Sequence, residues 1–307
     1  MSIATLIAAT RPAFLSVTLV GVILGLCSAS AEGSLHSPLL AIITLIFALV
    51  SHAGANVIND YYDSISGCDE ANVDRIFPFT GGSRFIQNGL LSTTQTAIFG
   101  YTLLAIVIPA GIYLMNKSGP ALIAIGLAGL FLGLAYSAKP LALQSRGIGE
   151  IVITLAWTLV VVGTDYVQRG QFSQTALLAG FAYALLVANV LFVNQIPDRI
   201  ADATTGKRTL IVRFGAGISP WGSSILYLSA SLVLGFAIIA NALPLASAIA
   251  LGAVIPASQS LRRLFLNPIA PEQLRLAIPK AIQSCLIFGI LLSAGLLLNG
   301  LDLITAR

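Results

Sequence analysis

Two matching polar patterns interrupt stretches of the sequence that are otherwise apolar. The first runs Asn56-Val-Ile-Asn-Asp60-Tyr-Tyr-Asp63, and the second runs Asn194-Gln-Ile-Pro-Asp198-Arg-Ile-Ala-Asp202. In a helix, each asparagine and the two aspartates that follow it share one face, because residues three or four apart are neighbours. An ionised carboxylate in an apolar stretch is costly unless it meets a cation or water. The spacing therefore predicts one divalent-metal site formed by both stripes: Asp60, Asp63, Asp198 and Asp202.

The ligand chemistry of these stripes favours magnesium and a diphosphate. Magnesium is usually held by one or two carboxylates together with substrate phosphate oxygens and waters. Asn56 and Asn194 would orient the ligands or contact the diphosphate directly. Within a membrane, this combination predicts an anionic substrate that carries a lipid tail. The alternative is that each stripe is a polar helix end satisfied by solvent.

A departing diphosphate gains negative charge, so positive groups are needed near it. The candidates are Lys139, Arg146, Lys207, Arg208, Arg75 and Arg84. Lys139 follows Tyr136 by three residues at a predicted helix end, and Lys207 and Arg208 follow Gly206. These positions favour a catalytic role for Lys139 and substrate binding by Tyr136 and the other basic residues. The alternative is that each basic residue only anchors its side of the membrane.

The elements that must position these residues are membrane-spanning helices. The 307 residues are 57% hydrophobic and 9% charged, with a mean hydropathy of +0.92, whereas soluble domains carry about 25% charged residues. Because lipid cannot satisfy backbone polar groups, an all-α fold is expected. A span needs roughly 20 apolar residues. The sequence predicts one domain over 1–307 with about nine spans, near 11–31, 38–61, 93–115, 119–137, 148–168, 173–196, 217–240, 242–261 and 280–301.

The basic residues are distributed unevenly between the two ends of these spans. Thirteen of the 16 Lys and Arg residues fall at the N-terminus and the loops on its side, and only Lys117, Arg169 and Arg307 fall on the other side. The positive-inside rule then predicts a cytoplasmic N-terminus in a bacterial inner membrane. The long loops near 62–92, 138–147, 197–216 and 262–280 lie on this side, so the active-site cap is predicted to be cytoplasmic. The three scattered cysteines match no metal or disulfide spacing and are interpreted as packing residues.

Several motifs together carry a resemblance that covers essentially the whole chain. They are Asn59-Asp60-Tyr-Tyr-Asp63 with Gly67 and Asp69, Tyr136 with Lys139-Pro140, Arg146-Gly147-Ile-Gly149-Glu150, and Asn194-Gln-Ile-Pro-Asp198 through Asp202 and Gly206-Lys207-Arg208-Thr209-Leu210. With these motifs the chain resembles the UbiA superfamily of intramembrane aromatic prenyltransferases. The resemblance implies nine helices around a central lipid-open chamber, a cap of two Asp-bearing loops, and Mg²⁺-dependent prenyl transfer from a polyprenyl diphosphate.

Within the superfamily, the motifs look most like those of the branch that prenylates 1,4-dihydroxy-2-naphthoate in menaquinone biosynthesis. In that branch the acceptor loses its carboxylate as the prenyl chain is attached. Asp165 and the segment Gly81-Gly82-Ser83-Arg84 depart from the branch pattern. A different aromatic acceptor, such as 4-hydroxybenzoate, therefore stays open.

A different class of function, an ion-coupled membrane transporter, also places acidic residues in apolar helices. Transporter carboxylates usually lie near the bilayer midplane on broken helices. Here they are predicted at helix ends beside basic loops, which favours the enzyme. The net charge of +4 reflects the positive-inside distribution and indicates no nucleic-acid partner.

Overall fold

The computed structural model describes residues 2–305, with side chains described as far as residue 298. Within this part of the chain all regular secondary structure is helical, which confirms the predicted fold class. The α-helices are α1 (Ile3–Ala9), α2 (Pro12–Ala31), α3 (Pro38–Ile65), α4 (Cys68–Ala71), α5 (Thr93–Ser118), α6 (Leu122–Ser137), α7 (Gly149–Arg169), α8 (Gln174–Thr204), α9 (Leu210–Phe214), α10 (Ser219–Ile239), α11 (Val254–Leu266) and α12 (Pro271–Thr305). Short 3₁₀ segments lie at Leu143–Arg146, Ala216–Ile218 and Leu245–Ala253.

Seven of the described helices are long and apolar enough to cross a membrane: α2, α3, α5, α7, α8, α10 and α12. The chain is therefore an integral membrane protein. Helix α6 is apolar but has 16 residues, a length of about 24 Å against the roughly 30 Å of a bilayer core. The predicted eighth stretch is a 3₁₀ segment followed by α11. Every predicted stretch thus contains helix, while the count of nine spans stays a prediction.

The predicted helix boundaries differ from the structure in three places. Helix α8 continues through Pro197 to Thr204, and α12 begins at Pro271 and continues through Pro279. Proline removes one backbone hydrogen bond, but neighbouring helices keep such a helix continuous in a membrane protein. As a result, most of the predicted loop 262–280 is helical. The short helix α1 was not predicted, and Arg307 lies outside the described residues.

Helix α8 forms the centre of the bundle and packs against α7, α10 and α12. Tyr183 on α8 is fully buried, and its hydroxyl donates to the Val17 carbonyl of α2 at 2.7 Å. Glycine allows the close helix contacts, as is common in membrane bundles. A Cβ atom at Gly25 would lie 2.6 Å from the Val161 carbonyl oxygen, and one at Gly289 would lie 2.3 Å from Val20. These close contacts of α2 with α7 and α12 hold together the helices that surround α8.

The two ends of the bundle differ in chemistry. At the polar end, Asp63 and Asp202 lie in the last turns of α3 and α8, beside the start of α7. At the opposite end, the connection between α2 and α3 is bonded to the end of α7. Gln168 accepts a hydrogen bond from the Ser37 amide at 2.9 Å and donates one to its carbonyl at 3.0 Å. Beside it, Arg169 forms ion pairs with the buried Asp165 and with Glu32. The unexpected Asp165 therefore lies in an ion cluster far along α7 from the polar end.

Candidate active site

One cavity of about 420 Å³ lies between α2, α3, α5, α6, α7 and α8. Its lining residues on α7 extend from Val152 to Val167, a distance of about 22 Å at 1.5 Å per residue. Asn, Asp and Lys side chains line the polar end. Apolar residues line most of the remaining length, including Phe14, Phe47, Leu130, Trp157, Val190 and Leu191. The cavity thus has the shape and polarity to hold a charged head and a long apolar tail.

The stripe on α3 supplies three side chains to the cavity. Asn56, Asn59 and Asp63 line it, and Asn59 donates to the Asp63 carboxylate at 3.1 Å. Asn56 donates to the Thr10 carbonyl at 3.0 Å, which ties α3 to the end of α1. Asp60 is buried beside the cavity and is not among its lining residues. Asn56, Asn59 and Asp63 of α3 therefore face the cavity directly, whereas Asp60 does not.

Asp60 has its own partners next to the cavity. It forms an ion pair with Arg11, and it accepts a hydrogen bond from the Ser83 amide at 3.2 Å. These contacts join the start of α2, the end of α3 and the loop that follows α4. The structure thus places the predicted metal ligand Asp60 one layer behind the cavity surface.

The stripe on α8 faces the stripe on α3 across the same cavity. Asn194, Asp198 and Asp202 all line it. Asp198 accepts a hydrogen bond from Asn72 at 2.6 Å, and Asp202 accepts one from the Cys68 thiol at 3.2 Å. Asp63, Asp198 and Asp202 of the two stripes therefore line the same cavity, and the metal site that they were predicted to form stays a prediction.

Lys207 is the predicted basic residue that lies at the centre of this arrangement. Its amine is 2.6 Å from a carboxylate oxygen of Asp63 and 3.7 Å from one of Asp202. Burial alone would lower the pKa of the Lys207 amine, but the Asp63 and Asp202 carboxylates raise it well above its ordinary value. The two carboxylates therefore favour the charged form of Lys207, which links the two stripes.

The other predicted basic residues occupy different surroundings. Arg84 donates to the carbonyls of Asp69 and Asn72 at 2.6 and 3.3 Å and so supports the loop over the cavity. Arg75 packs on the Phe77 ring, with the guanidinium carbon 5.5 Å from its centre. Lys139, Arg146 and Arg208 are exposed and are not among the cavity-lining residues. The structure does not bring these three to the site, and the catalytic role of Lys139 stays a prediction.

Arg11 and Asp69 also line the site. Neither of these charged residues was predicted to be a site residue from the sequence. Arg11 precedes Pro12 with a left-handed φ of 56°, a conformation that is uncommon for a residue with a side chain. Burial and the negative charge of Asp63 raise the pKa of Asp69 to about 6. Gly82, with φ 68°, lets the backbone approach this carboxylate, since a Cβ there would lie 2.6 Å from it. Two features of the sequence could have identified them. Arg11 and Pro12 stand at the start of a predicted span, and Asp69 is the third aspartate of the first motif.

The loop between α4 and α5 covers the polar end of the cavity. Asn72, Phe79, Thr80, Gly81 and Gly82 all line the cavity from this loop. The segment after α8 contributes Lys207 and Thr209 from the other side. The Arg208 amide donates to the Ser145 carbonyl at 2.9 Å, which joins this segment to the connection between α6 and α7. Both Asp-bearing connections therefore line the polar end of the cavity, and the cytoplasmic cap that the resemblance implied stays a prediction.

The charges at the polar end are unbalanced. Four carboxylates (Asp63, Asp69, Asp198 and Asp202) line the cavity together with two cations (Arg11 and Lys207), giving a formal charge of −2. Such a site repels a diphosphate unless further cations enter with it. No group of three or more His, Cys, Asp or Glu side chains in the described residues forms a ready-made metal site. The oxygen donors fit Mg²⁺ that brings ligands with it on the substrate.

Deeper in the cavity the wall is less charged but still polar. Tyr136 and Gln195 line it, and Gln195 donates to a Glu150 carboxylate oxygen at 2.7 Å. His52 also lines it, and its ring bonds the Thr18 hydroxyl of α2 at 2.8 Å. This histidine therefore makes the interhelical hydrogen bond that such residues commonly make in membrane bundles.

Sequence comparisons connect this geometry with known proteins. A model of the UbiA prenyltransferase family matches residues 14–271. The chain is 27% identical over 300 residues to the 1,4-dihydroxy-2-naphthoate octaprenyltransferase of Bacillus subtilis, covering 94% of this chain and 91% of that protein. It is 25% identical over 294 residues to the 2-carboxy-1,4-naphthoquinone phytyltransferase of Synechocystis, covering 94% and 92%.

Solved structures share the fold. A UbiA homolog from Archaeoglobus fulgidus bound to GPP and Mg²⁺ has a TM-score of 0.62 at 17% identity, over 94% of this chain and 99% of that one. The apo structure of a UbiA homolog from Aeropyrum pernix also has a TM-score of 0.62, at 16% identity, over 92% and 97%. At these identities the likeness supports the arrangement of helices and nothing finer.

Proposed function

This chain belongs to the UbiA prenyltransferase family, and from this premise we propose that it transfers a polyprenyl group from polyprenyl diphosphate to 1,4-dihydroxy-2-naphthoate in a Mg²⁺-dependent reaction of menaquinone biosynthesis. The observation that carries the proposal is the cavity, which joins a carboxylate-rich end of formal charge −2 to about 22 Å of mostly apolar wall. A diphosphate with metal ions suits the first part, and an isoprenoid tail suits the second. The naphthoate relatives support the choice of acceptor.

The carboxylates that line the cavity, Asp63, Asp69, Asp198 and Asp202, would hold Mg²⁺, with Asp60 behind them. When bound, Mg²⁺ would neutralise charge on the diphosphate oxygens. Lys207 and Arg11 lie beside these carboxylates and would donate hydrogen bonds to the diphosphate. Positive charge fixed there stabilises the leaving group more strongly as its bond to the prenyl carbon breaks.

The apolar walls of the cavity have a separate role in this proposal. Breaking the carbon–oxygen bond leaves positive character on the allylic carbon, and water would trap it. Trp157, Leu191 and the other apolar lining residues exclude water from this position. The acceptor ring carbon then attacks the allylic carbon, and in the naphthoate the carboxylate at that carbon leaves as CO₂.

The first prediction tests the role of Lys207. Lys207→Ala should lower prenyl transfer by at least about 100-fold, because it removes a buried cation at the leaving group. Arg208→Ala is the matched control, since Arg208 is the next residue but is exposed, and its activity should stay within about twofold of wild type. Product formation is measured in membranes supplied with Mg²⁺, polyprenyl diphosphate and the naphthoate. Equal activity of the two variants would remove Lys207 from the mechanism.

The acceptor is tested in the same membranes with the wild-type protein. Prenylated product should form from 1,4-dihydroxy-2-naphthoate and should be absent when Mg²⁺ is removed with a chelator. Product from 4-hydroxybenzoate alone would overturn the acceptor and leave the family membership unchanged. If the protein were an ion-coupled transporter, neither acceptor would give a prenylated product. Membership of the prenyltransferase family argues against this outcome.

A further inference from the structure

Gln195 lines the cavity and carries a buried polar atom without a hydrogen-bond partner in the described part of the chain. The side chain is 8% exposed and lines the cavity. Its Nε2 donates to Oε1 of Glu150 at 2.7 Å, whereas its Oε1 has no hydrogen-bond partner among the described residues. A buried polar atom without a partner costs about 1–3 kcal/mol, so this oxygen is expected to meet a ligand.

The contact with Glu150 determines what kind of ligand Gln195 can bind. A carboxylate oxygen at 2.7 Å can only face the amide nitrogen, because two acceptor oxygens would repel each other. The atom left free on Gln195 is therefore a carbonyl oxygen, which accepts but cannot donate. A fully ionised diphosphate and an isoprenoid tail carry no hydrogen-bond donor. The remaining substrate class in the proposed reaction, an aromatic ring with hydroxyl groups, does carry one.

The position of Gln195 along α8 agrees with this chemistry. Gln195 precedes Asp198 by three residues and Asp202 by seven, so all three lie near one face of the helix. The axial rise places Gln195 about 4.5 Å deeper than Asp198. The allylic carbon would lose its diphosphate at the boundary between the carboxylates and the apolar wall. An aromatic hydroxyl held there would bring its ring next to that carbon.

We propose that Gln195, positioned by Glu150, accepts a hydrogen bond from a hydroxyl group of the aromatic acceptor and so selects hydroxylated rings. This inference rests on the proposed function. Gln195 is the residue that contacts substrate, and Glu150 is a positioning residue that acts through it.

Gln195→Met keeps the side-chain length but removes the acceptor oxygen. We expect the KM for the aromatic acceptor to rise about tenfold, the equivalent of one lost hydrogen bond, with the KM for polyprenyl diphosphate unchanged. Wild type should also prefer the free hydroxyl over its methyl ether by about tenfold, and Gln195→Met should lose this preference. Asn189→Leu is the matched control, because Asn189 is a buried amide on the same helix that is not among the cavity-lining residues. Its KM values should equal those of wild type.

Glu150 is tested by a conservative pair of variants. Glu150→Gln can still accept from Gln195 and should keep a wild-type acceptor KM, whereas Glu150→Leu should raise it as Gln195→Met does. Thermal stabilisation by Mg²⁺ with polyprenyl diphosphate shows that each variant is folded. If wild type transfers prenyl groups but Gln195→Met keeps both its acceptor KM and its hydroxyl preference, this inference is wrong and the proposed function stands. If wild type prenylates no aromatic acceptor, the proposed function itself has failed.

Discussion

At the scale of single residues, the polar end is held together by pairing opposite charges across helices. Lys207 contacts Asp63 on α3 and Asp202 on α8, and Arg11 contacts Asp60. Asp69 has no side-chain hydrogen bond in the described part of the chain, and its pKa of about 6 reflects burial and the charge of Asp63. Asp69 is thus a buried carboxylate whose ionisation is opposed by its surroundings.

Asp69 predicts a pH dependence of stability in the metal-free protein. Its folded pKa of about 6 exceeds its ordinary value of 3.8, so between these values the folded state holds a proton that the unfolded chain has released. Stability should therefore fall as pH rises from about 4 to above 6, by on the order of 3 kcal/mol from this group. Thermal unfolding in detergent should show a smaller decrease in Tm from pH 5 to pH 8 for Asp69→Asn than for wild type. The same decrease in both proteins would contradict the prediction.

The Asp69→Asn substitution should weaken activity although it raises stability. Asp69→Asn is expected to be more stable than wild type at pH 8 without Mg²⁺, because it removes a buried charge. Its prenyl transfer should need more Mg²⁺ to reach half-maximal rate, because a proposed ligand is weakened. A gain in stability with a loss of function is the usual pattern for strained functional groups.

At the scale of elements, the loop between α4 and α5 is the least regular part of the site, and side chains hold it in place. Asn72 bonds Asp198, the Ser83 amide bonds Asp60, and Arg84 bonds the carbonyls of Asp69 in α4 and Asn72 in the loop. Packing adds to this at Ile76, which is buried against Phe192 and its neighbours. The loop is therefore bonded to the same carboxylates that the proposed function requires.

Arg84→Ala should loosen this loop without altering the cavity charges. We expect the KM for polyprenyl diphosphate to rise about tenfold, the effect of losing charge-assisted hydrogen bonds that hold Asp69 and Asn72. Cleavage of the loop by added protease should also become faster. Arg75→Ala is the control from the same loop, since the Arg75 guanidinium lies over the exposed Phe77 ring, and neither measurement should change. A shared effect of both variants would show that charge on the loop, rather than its fixation, matters.

Much of this arrangement could be predicted from the sequence, because apolar length and helical spacing are local properties. They located helix in all nine stretches and placed Asp63, Asp198 and Asp202 on facing stripes. What could not be predicted depends on contacts between distant elements. Arg11 reaches Asp60 only because the chain turns at a left-handed residue, and Asp69 faces the cavity because Gly82 allows a close approach. Spacing alone also could not show that Lys139 points away while Lys207 points inward.

At the scale of the whole molecule, all three cysteines are buried, and the basic residues are concentrated on one side. This combination allows a direct test of orientation, because reagents in water would label only a cysteine that has been introduced. Ser34 lies in the connection between α2 and α3, and Gly217 lies between α9 and α10 at the polar end. The charge distribution predicts that these two connections lie on opposite sides of the membrane.

In intact bacterial cells, a membrane-impermeant maleimide should therefore label Ser34→Cys and should label Gly217→Cys only after the cells are opened. The wild-type protein serves as the control and should remain unlabelled in both conditions. Labelling of Gly217→Cys in intact cells, with Ser34→Cys protected, would reverse the proposed orientation and place the polar end outside.

The formal charge of −2 at the polar end also has a consequence for how the proposed ligands bind together. A diphosphate alone meets repulsion there, and Mg²⁺ alone finds no complete set of ligands in the described residues. Each ligand therefore creates much of the other's binding free energy, and this coupling is reciprocal by thermodynamic linkage. Whatever factor Mg²⁺ adds to the affinity for the prenyl donor, the donor must add to the affinity for Mg²⁺. The enzyme would then respond to the product of two concentrations, and a modest change in free Mg²⁺ would alter prenyl flux most when the donor is scarce.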